Sequence, residues 1–206
     1  VFDDISTWLP DGSTQPVKTL VGNNTGLSSA ASVALDNSDN MFVSNGGNNS
    51  ITVYAAGWSG GDTAPTKTLI GSNTGLDSPG SIAFDASGKM FVSSGCIICG
   101  FEPTGSPKVL AFAANWTTGN TAPVKTLVGD RTRLRRAAAL EFDDGGVMFA
   151  TDGTGSLGQV IQFVANWADG NTGPSGFLGS MPLTASSITR SGLCASILSS
   201  VRLLMP

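Results

Sequence analysis

The side chains able to do chemistry are few and unevenly placed. The chain of 206 residues contains no histidine and three cysteines, Cys96, Cys99 and Cys194. Without histidine, Ser-His-Asp and Cys-His triads are impossible, as are histidine-ligated zinc, copper or haem sites. Acid–base work would fall to carboxylates, lysines, Tyr54 or a thiol. Cys96 and Cys99 form a C-x-x-C pair, but no strand–helix–strand pattern of a redox site surrounds it. One such pair is a weak zinc site, and a local disulfide stiffening the loop fits it best in an extracellular chain. Cys194 is then left over, either as a small buried apolar group or as a thiol free for an intermolecular bond.

Positive charge gathers in one segment, Asp130-Arg-Thr-Arg-Leu-Arg-Arg136. Arg131, Arg133, Arg135 and Arg136 could together take a carboxylate, sulfate or phosphate. The competing reading is a solvated loop paired with Glu102, Asp130 and Asp144. Asp36, Asp85 and Asp143 recur at equivalent places and could ring a hard cation such as calcium. Each also begins a turn sequence, Asp36-Asn-Ser-Asp39, Asp85-Ala-Ser-Gly88 and Asp143-Asp-Gly-Gly146, and turn chemistry accounts for every copy. Trp8, Trp58, Trp116 and Trp167 recur too, as stacking platforms for a sugar or partner protein or as packing plugs. Lys18, Lys67 and Lys125 are expected to be solvated charges that discourage edge pairing. Asn23, Asn48 and Asn115 open N-x-S/T sequons, which are glycosylation acceptors in a source that glycosylates.

The elements that must position these groups come from an internal repeat. Thr63-Ala-Pro-Thr-Lys-Thr-Leu-Ile-Gly71 returns as Thr121-Ala-Pro-Val-Lys-Thr-Leu-Val-Gly129. It is preceded by Thr14-Gln-Pro-Val-Lys-Thr-Leu-Val-Gly22 and followed by the weaker Thr172-Gly-Pro-Ser-Gly-Phe-Leu-Gly179. Pro16, Pro65, Pro123 and Pro174 set spacings of 49, 58 and 51 residues. A period near 50 marks a stack or ring of equal units. Each unit carries four short apolar runs separated by turn signals, as in Ser81–Asp85, Met90–Ser93, Lys108–Ala113 and Val124–Val128. These read as strands a, b, c and d of one antiparallel sheet. The expected organisation is a single domain: strands c and d of a closing blade in 1–22, blades in 23–71, 72–129 and 130–179, and degenerate strands a and b/c of the closing blade in 180–206. About four blades result, with the ring shut by pairing N- and C-terminal strands in one blade. The competing readings are a fragment, or two chains closing a larger ring.

Composition agrees with a turn-rich β protein: 13% of residues are charged and 27 are glycine. The net charge of −4 argues against general nucleic-acid binding. No apolar run approaches the roughly 20 residues of a membrane span. A start at Val1 rather than Met suggests a processed or trimmed N-terminus.

Asn73-Thr-Gly-Leu-Asp-Ser-Pro-Gly-Ser-Ile-Ala-Phe-Asp-Ala-Ser-Gly-Lys-Met-Phe-Val92 and Asn48-Asn-Ser-Ile-Thr-Val-Tyr-Ala-Ala56 resemble NHL-type β-propeller repeats of the secreted microbial variety. The resemblance covers roughly residues 1–180 and implies an all-β propeller, extracellular or on the cell surface. It implies little about activity, since such propellers include lyases, lactonases and pure binding scaffolds. Their enzymes place histidines and a metal at the central channel, and this chain has no histidine.

Two breaks in the repeat stand out: the insertion Cys96–Ser106 in a b–c loop and the arginine segment in a d–a loop. Both loop types emerge on one face of an up-and-down blade. That face is expected to bind a protein, a glycan or an anionic ligand, with self-association through the chain ends as a further route. The resulting expectation is a binding or assembly module without a cofactor. The alternatives are a lyase or lactone hydrolase using carboxylates and a divalent metal in the channel, and a polymer subunit joined by strand exchange.

Overall fold

The structure, a computed structural model, describes residues 16–95, 105–135, 137–154 and 157–182. These residues form three four-stranded antiparallel sheets. Sheet 1 contains β1 (Ala30–Leu35), β2 (Met41–Asn45), β3 (Ser50–Tyr54) and β4 (Lys67–Ile70). Sheet 2 contains β5 (Ile82–Phe84), β6 (Met90–Ser94), β7 (Lys108–Phe112) and β8 (Lys125–Val128). Sheet 3 contains β9 (Ala137–Phe142), β10 (Met148–Thr154), β11 (Leu157–Phe163) and β12 (Gly176–Pro182). Strands follow sequence order in every sheet. Helix is confined, among the described residues, to three 3-10 turns at Asn23–Thr25, Ser72–Thr74 and Asp130–Thr132. No helix there is long and apolar enough to cross a membrane.

The period-2 rule explains why these strands read as nearly unbroken apolar runs. In sheet 2, Ile82, Met90, Val92, Leu110 and Phe112 join a core with Phe42, Ile51, Val53 and Leu69 of sheet 1. The alternate residues Ala83, Phe91, Val109, Ala111 and Leu127 join a second core with Leu140, Met148, Ala150 and Phe163 of sheet 3. Sheet 2 therefore buries both faces, which strict apolar–polar alternation could not support. Equivalent phenylalanines meet at both junctions, Phe42 with Phe84 at 4.9 Å and Phe91 with Phe142 at 4.5 Å between ring centroids.

The conspicuous repeat motif forms the joint between sheets. β4, β8 and residues 18–21 each make two backbone hydrogen bonds with the connection between the third and fourth strands of the sheet that follows. Ile70 N–H donates to Gly119 O at 3.1 Å, and Gly119 N–H donates to Thr68 O at 2.7 Å. Val128 and Gly170 repeat the arrangement at 3.1 Å, with Gly170 returning to Thr126 at 2.8 Å. Val21 and Gly61 do the same at 3.0 Å, with Gly61 returning to Thr19 at 2.7 Å. Residues 18–21 thus lie against sheet 1 as β4 lies against sheet 2.

Candidate functional site

The arginine loop is built on the same frame as its two counterparts. Thr25, Thr74 and Thr132 are buried, and each Oγ1 donates to the carbonyl of Gly22, Gly71 or Gly129 at 2.7–2.8 Å. The same oxygen accepts the N–H of Leu27, Leu76 or Leu134 at 3.2 Å. A short turn is thereby closed on itself, and its leucine is directed toward the core. In the third loop Thr132 and Leu134 are buried, while Arg131, Arg133 and Arg135 between and beside them are exposed. Their counterparts are Asn24, Gly26 and Ser28 in one loop and Asn73, Gly75 and Asp77 in the other. The frame is kept, and the three positions flanking its Thr and Leu are changed to arginine, while the exposed Asp130 opens the same turn. Arg133 sits at φ 57°, where Gly26 and Gly75 sit at 71° and 69°. The left-handed conformation is unfavourable for a side chain with a Cβ by about 1 kcal/mol.

Two contacts fix this loop from beneath. Arg131 N–H donates to Asn171 Oδ1 at 2.8 Å, matching Asn73 N–H to Asn120 and Asn24 N–H to Asp62, both at 2.7 Å. Arg135 N–H donates to Asp152 Oδ1 at 3.2 Å. Asp152, only 1% exposed, also accepts Gln159 Nε2 at 3.1 Å on its other oxygen. A buried carboxylate thus accepts the backbone N–H that leaves the arginine loop, a contact that sequence reasoning missed. Asn45 and Ser94 hold the equivalent place, ending β2 and β6 as Asp152 nears the end of β10, and each accepts the corresponding loop N–H.

Glu102, Arg136, Cys96 and Cys99 lie outside the described residues, as do the terminal strands expected in 1–15 and 183–206. The flanks of the insertion are described. Gly95 N–H donates to Asp77 O, and Gly105 N–H donates to Asp77 Oδ2, both at 2.6 Å. Asp77 thus fastens both ends of the insertion at the loop end of sheet 2. The expected pairing of the arginines with Asp144 fails. Asp144 follows the far end of β9, roughly 20 Å away at about 3.3 Å per strand residue.

The carboxylates Asp36, Asp85 and Asp143 do not ring a cation. Each Oδ1 accepts two N–H groups of its own turn, from Ser38 and Asn40, Ser87 and Lys89, or Gly145 and Val147, at 2.8–3.0 Å. Burial would raise the Asp36 pKa, but hydrogen bonds from the Asn40 side chain and from the Asn40 and Ser38 N–H groups outweigh it and lower the value. Among the described residues, no three Cys, Asp or Glu side chains gather as a metal site. Tyr54 is fully buried; its phenol donates to Thr25 O, and burial raises its pKa despite a hydrogen bond with Thr52. It has no access to a substrate.

Trp116 and Trp167 are buried and Trp58 is half-buried, so the indoles are plugs rather than platforms. Lys67 is exposed as expected from sequence, whereas Lys18 and Lys125 are half-buried, and all three engage a tryptophan. Lys18, Lys67 and Lys125 lie over the rings of Trp58, Trp116 and Trp167 at 5.4–5.8 Å from the centroids. Lys18 and Lys125 also donate to the Trp58 and Trp167 carbonyls at 2.9 and 3.0 Å. Each lysine therefore belongs to the joint with the following sheet. Asn23, Asn48 and Asn115 are exposed, and Asn48 Oδ1 accepts Ser50 Oγ at 2.6 Å.

Compared with known proteins, the chain matches no family model and no curated protein.

Proposed function

We propose that this chain is a binding or assembly module built on a small β-propeller of NHL-like repeats, extracellular or on the cell surface. The observation that supports the binding role is the arginine loop. A buried Thr–Leu frame is kept, the three exposed positions flanking its Thr and Leu are arginine, and one arginine occupies a left-handed backbone position that favours glycine. The ligand class is anionic, since guanidinium groups pair with carboxylate, sulfate or phosphate oxygens.

The propeller reading rests on the joints and on one open face. Val33 and Ile82 hold the same register place, opposite Val43 and Val92. Leu140, opposite Ala150, is the third member of the set. Ile82 is 6% exposed and Leu140 2%, but Val33 is 60% exposed, and Leu35 beside it is 59% exposed. A fourth sheet, sharing strands from 1–22 and 180–206, would cover this face and close the ring. Residues 18–21 make with sheet 1 the two backbone bonds that β4 makes with sheet 2, which supports this reading.

Titration calorimetry at low ionic strength tests the binding role. Dextran sulfate should bind and neutral dextran should not, and the R131Q/R133Q/R135Q variant should lose at least tenfold in affinity. Equal behaviour of wild type and variant would remove the arginine loop from the function.

A further inference from the structure

The charge on sheet 3 is arranged along a single strand. The arginine loop leads directly into β9, and β9 ends at the turn Asp143-Asp144. Three exposed arginines therefore stand at one end of a strand roughly 20 Å long, and the exposed Asp144 stands at the other with Asp143 beside it. Glu141, also exposed, lies near the acidic end. The first strands of the other sheets share that acidic end through Asp36, Asp39 and Asp85 in their turns. They lack the basic one, carrying Asn24, Gly26 and Ser28 or Asn73, Gly75 and Asp77 before the strand. The two ends cannot meet within one copy, because the rigid strand holds them apart.

The geometry points to a second copy of this chain as the partner of the arginine loop, with Arg131, Arg133 and Arg135 of one copy docking on the Asp143-Asp144 turn of the next. This rests on the reading of that loop as a binding edge and names its occupant. Charge complementarity carries the choice: the surface that fits an arginine edge is present on the same molecule, facing the opposite way. Such a contact joins two different surfaces, so it is heterologous and does not close on two copies. Copies would stack head to tail. Exposed ion pairs are individually weak and are screened within about 8–10 Å at physiological salt, so the stack forms at low ionic strength or high local concentration. Asp143 keeps its turn-capping hydrogen bonds to Gly145 and Val147 through Oδ1, leaving Oδ2 and the whole Asp144 carboxylate to the partner.

Sedimentation velocity across a concentration series tests this. At about 20 mM salt the wild-type sedimentation coefficient should rise with concentration, and at 0.5 M salt it should not. R131E/R133E/R135E and D144K, which leaves the turn-capping Asp143 in place, should each remain monomeric alone, with unchanged far-ultraviolet circular dichroism. An equimolar mixture of the two should associate again, because both complementary contacts are restored between unlike copies. A monomeric wild type at low salt, association unaffected by the arginine changes, or no recovery in the mixture would overturn the proposal. The first result combined with arginine-dependent dextran sulfate binding would leave the binding edge standing with an external polyanion as its occupant. Failure of both would remove the binding edge itself.

Discussion

Sheets 1 and 2 are built alike, yet the same strand position has opposite surroundings in each. Ile82 is packed between neighbours, whereas Val33 is mostly exposed. The two strands carry equivalent apolar residues, so the difference does not lie in the residues. In a repeat array a face is buried by the neighbouring repeat, and the leading face of the first described sheet has only Leu20, Leu27 and Trp58 packed over its outer part. Val33 is the exposed counterpart of two buried residues, Ile82 and Leu140, which is what the proposed fourth sheet would explain.

The strongest way to break this comparison is to place a charge at both positions. Ile82→Asp should destabilise by about 4 kcal/mol or more, since it buries an unpaired carboxylate. If a fourth sheet covers sheet 1, Val33→Asp should cost more than about 2 kcal/mol in urea unfolding; a bare surface position would change stability by no more than about 0.5 kcal/mol. The joints give the next effect. A Cβ on Gly129 would stand 2.7 Å from the Asn171 amide at φ +114°, whereas one on Gly119, at φ +96°, meets nothing within 4 Å. Gly129→Ala should therefore cost about 2–3 kcal/mol and Gly119→Ala about 1 kcal/mol, the difference measuring close approach apart from backbone strain. Arg133→Gly should act the other way, raising stability by up to about 1 kcal/mol while weakening dextran sulfate binding. A variant that gains neither would show that the left-handed position carries no strain.

The smallest effect concerns acid. Asp36, at the end of β1, has a folded pKa below its unfolded value. Its contribution is present above the unfolded pKa and is lost as pH falls through the folded one. Asp36→Asn should flatten the acid limb of a stability–pH curve and leave its slope near neutrality unchanged. An unchanged acid limb would show that the turn, not the carboxylate charge, is what matters there.

The three sheets were legible because four strands and their turns recur in order, and the Asp turns were legible because their chemistry is local. The joints were not. Lys18 and Trp58 lie 40 residues apart, and Lys125 and Trp167 lie 42 apart. A lysine on an outer strand reads as solvated unless the next repeat is already in place. The exposure of Val33 was hidden for the same reason, since its own strand resembles the buried ones. Asp152 escaped notice because it replaces Asn45 and Ser94 with a different residue type, and only the shared hydrogen bond shows their equivalence.

The joint also bears on how the chain acquires its structure. Its side-chain hydrogen bonds connect residues between 38 and 50 positions apart, about one repeat and no more. None of the three joints among the described residues waits for a distant end of the chain; the proposed closing sheet alone would. Each sheet can close on its predecessor as soon as one further repeat is available, so order can spread repeat by repeat, during synthesis as well as afterwards. The cost of loop closure is then the same at every step rather than growing with chain length, and lengthening the array by another repeat would leave the rate of each step unchanged.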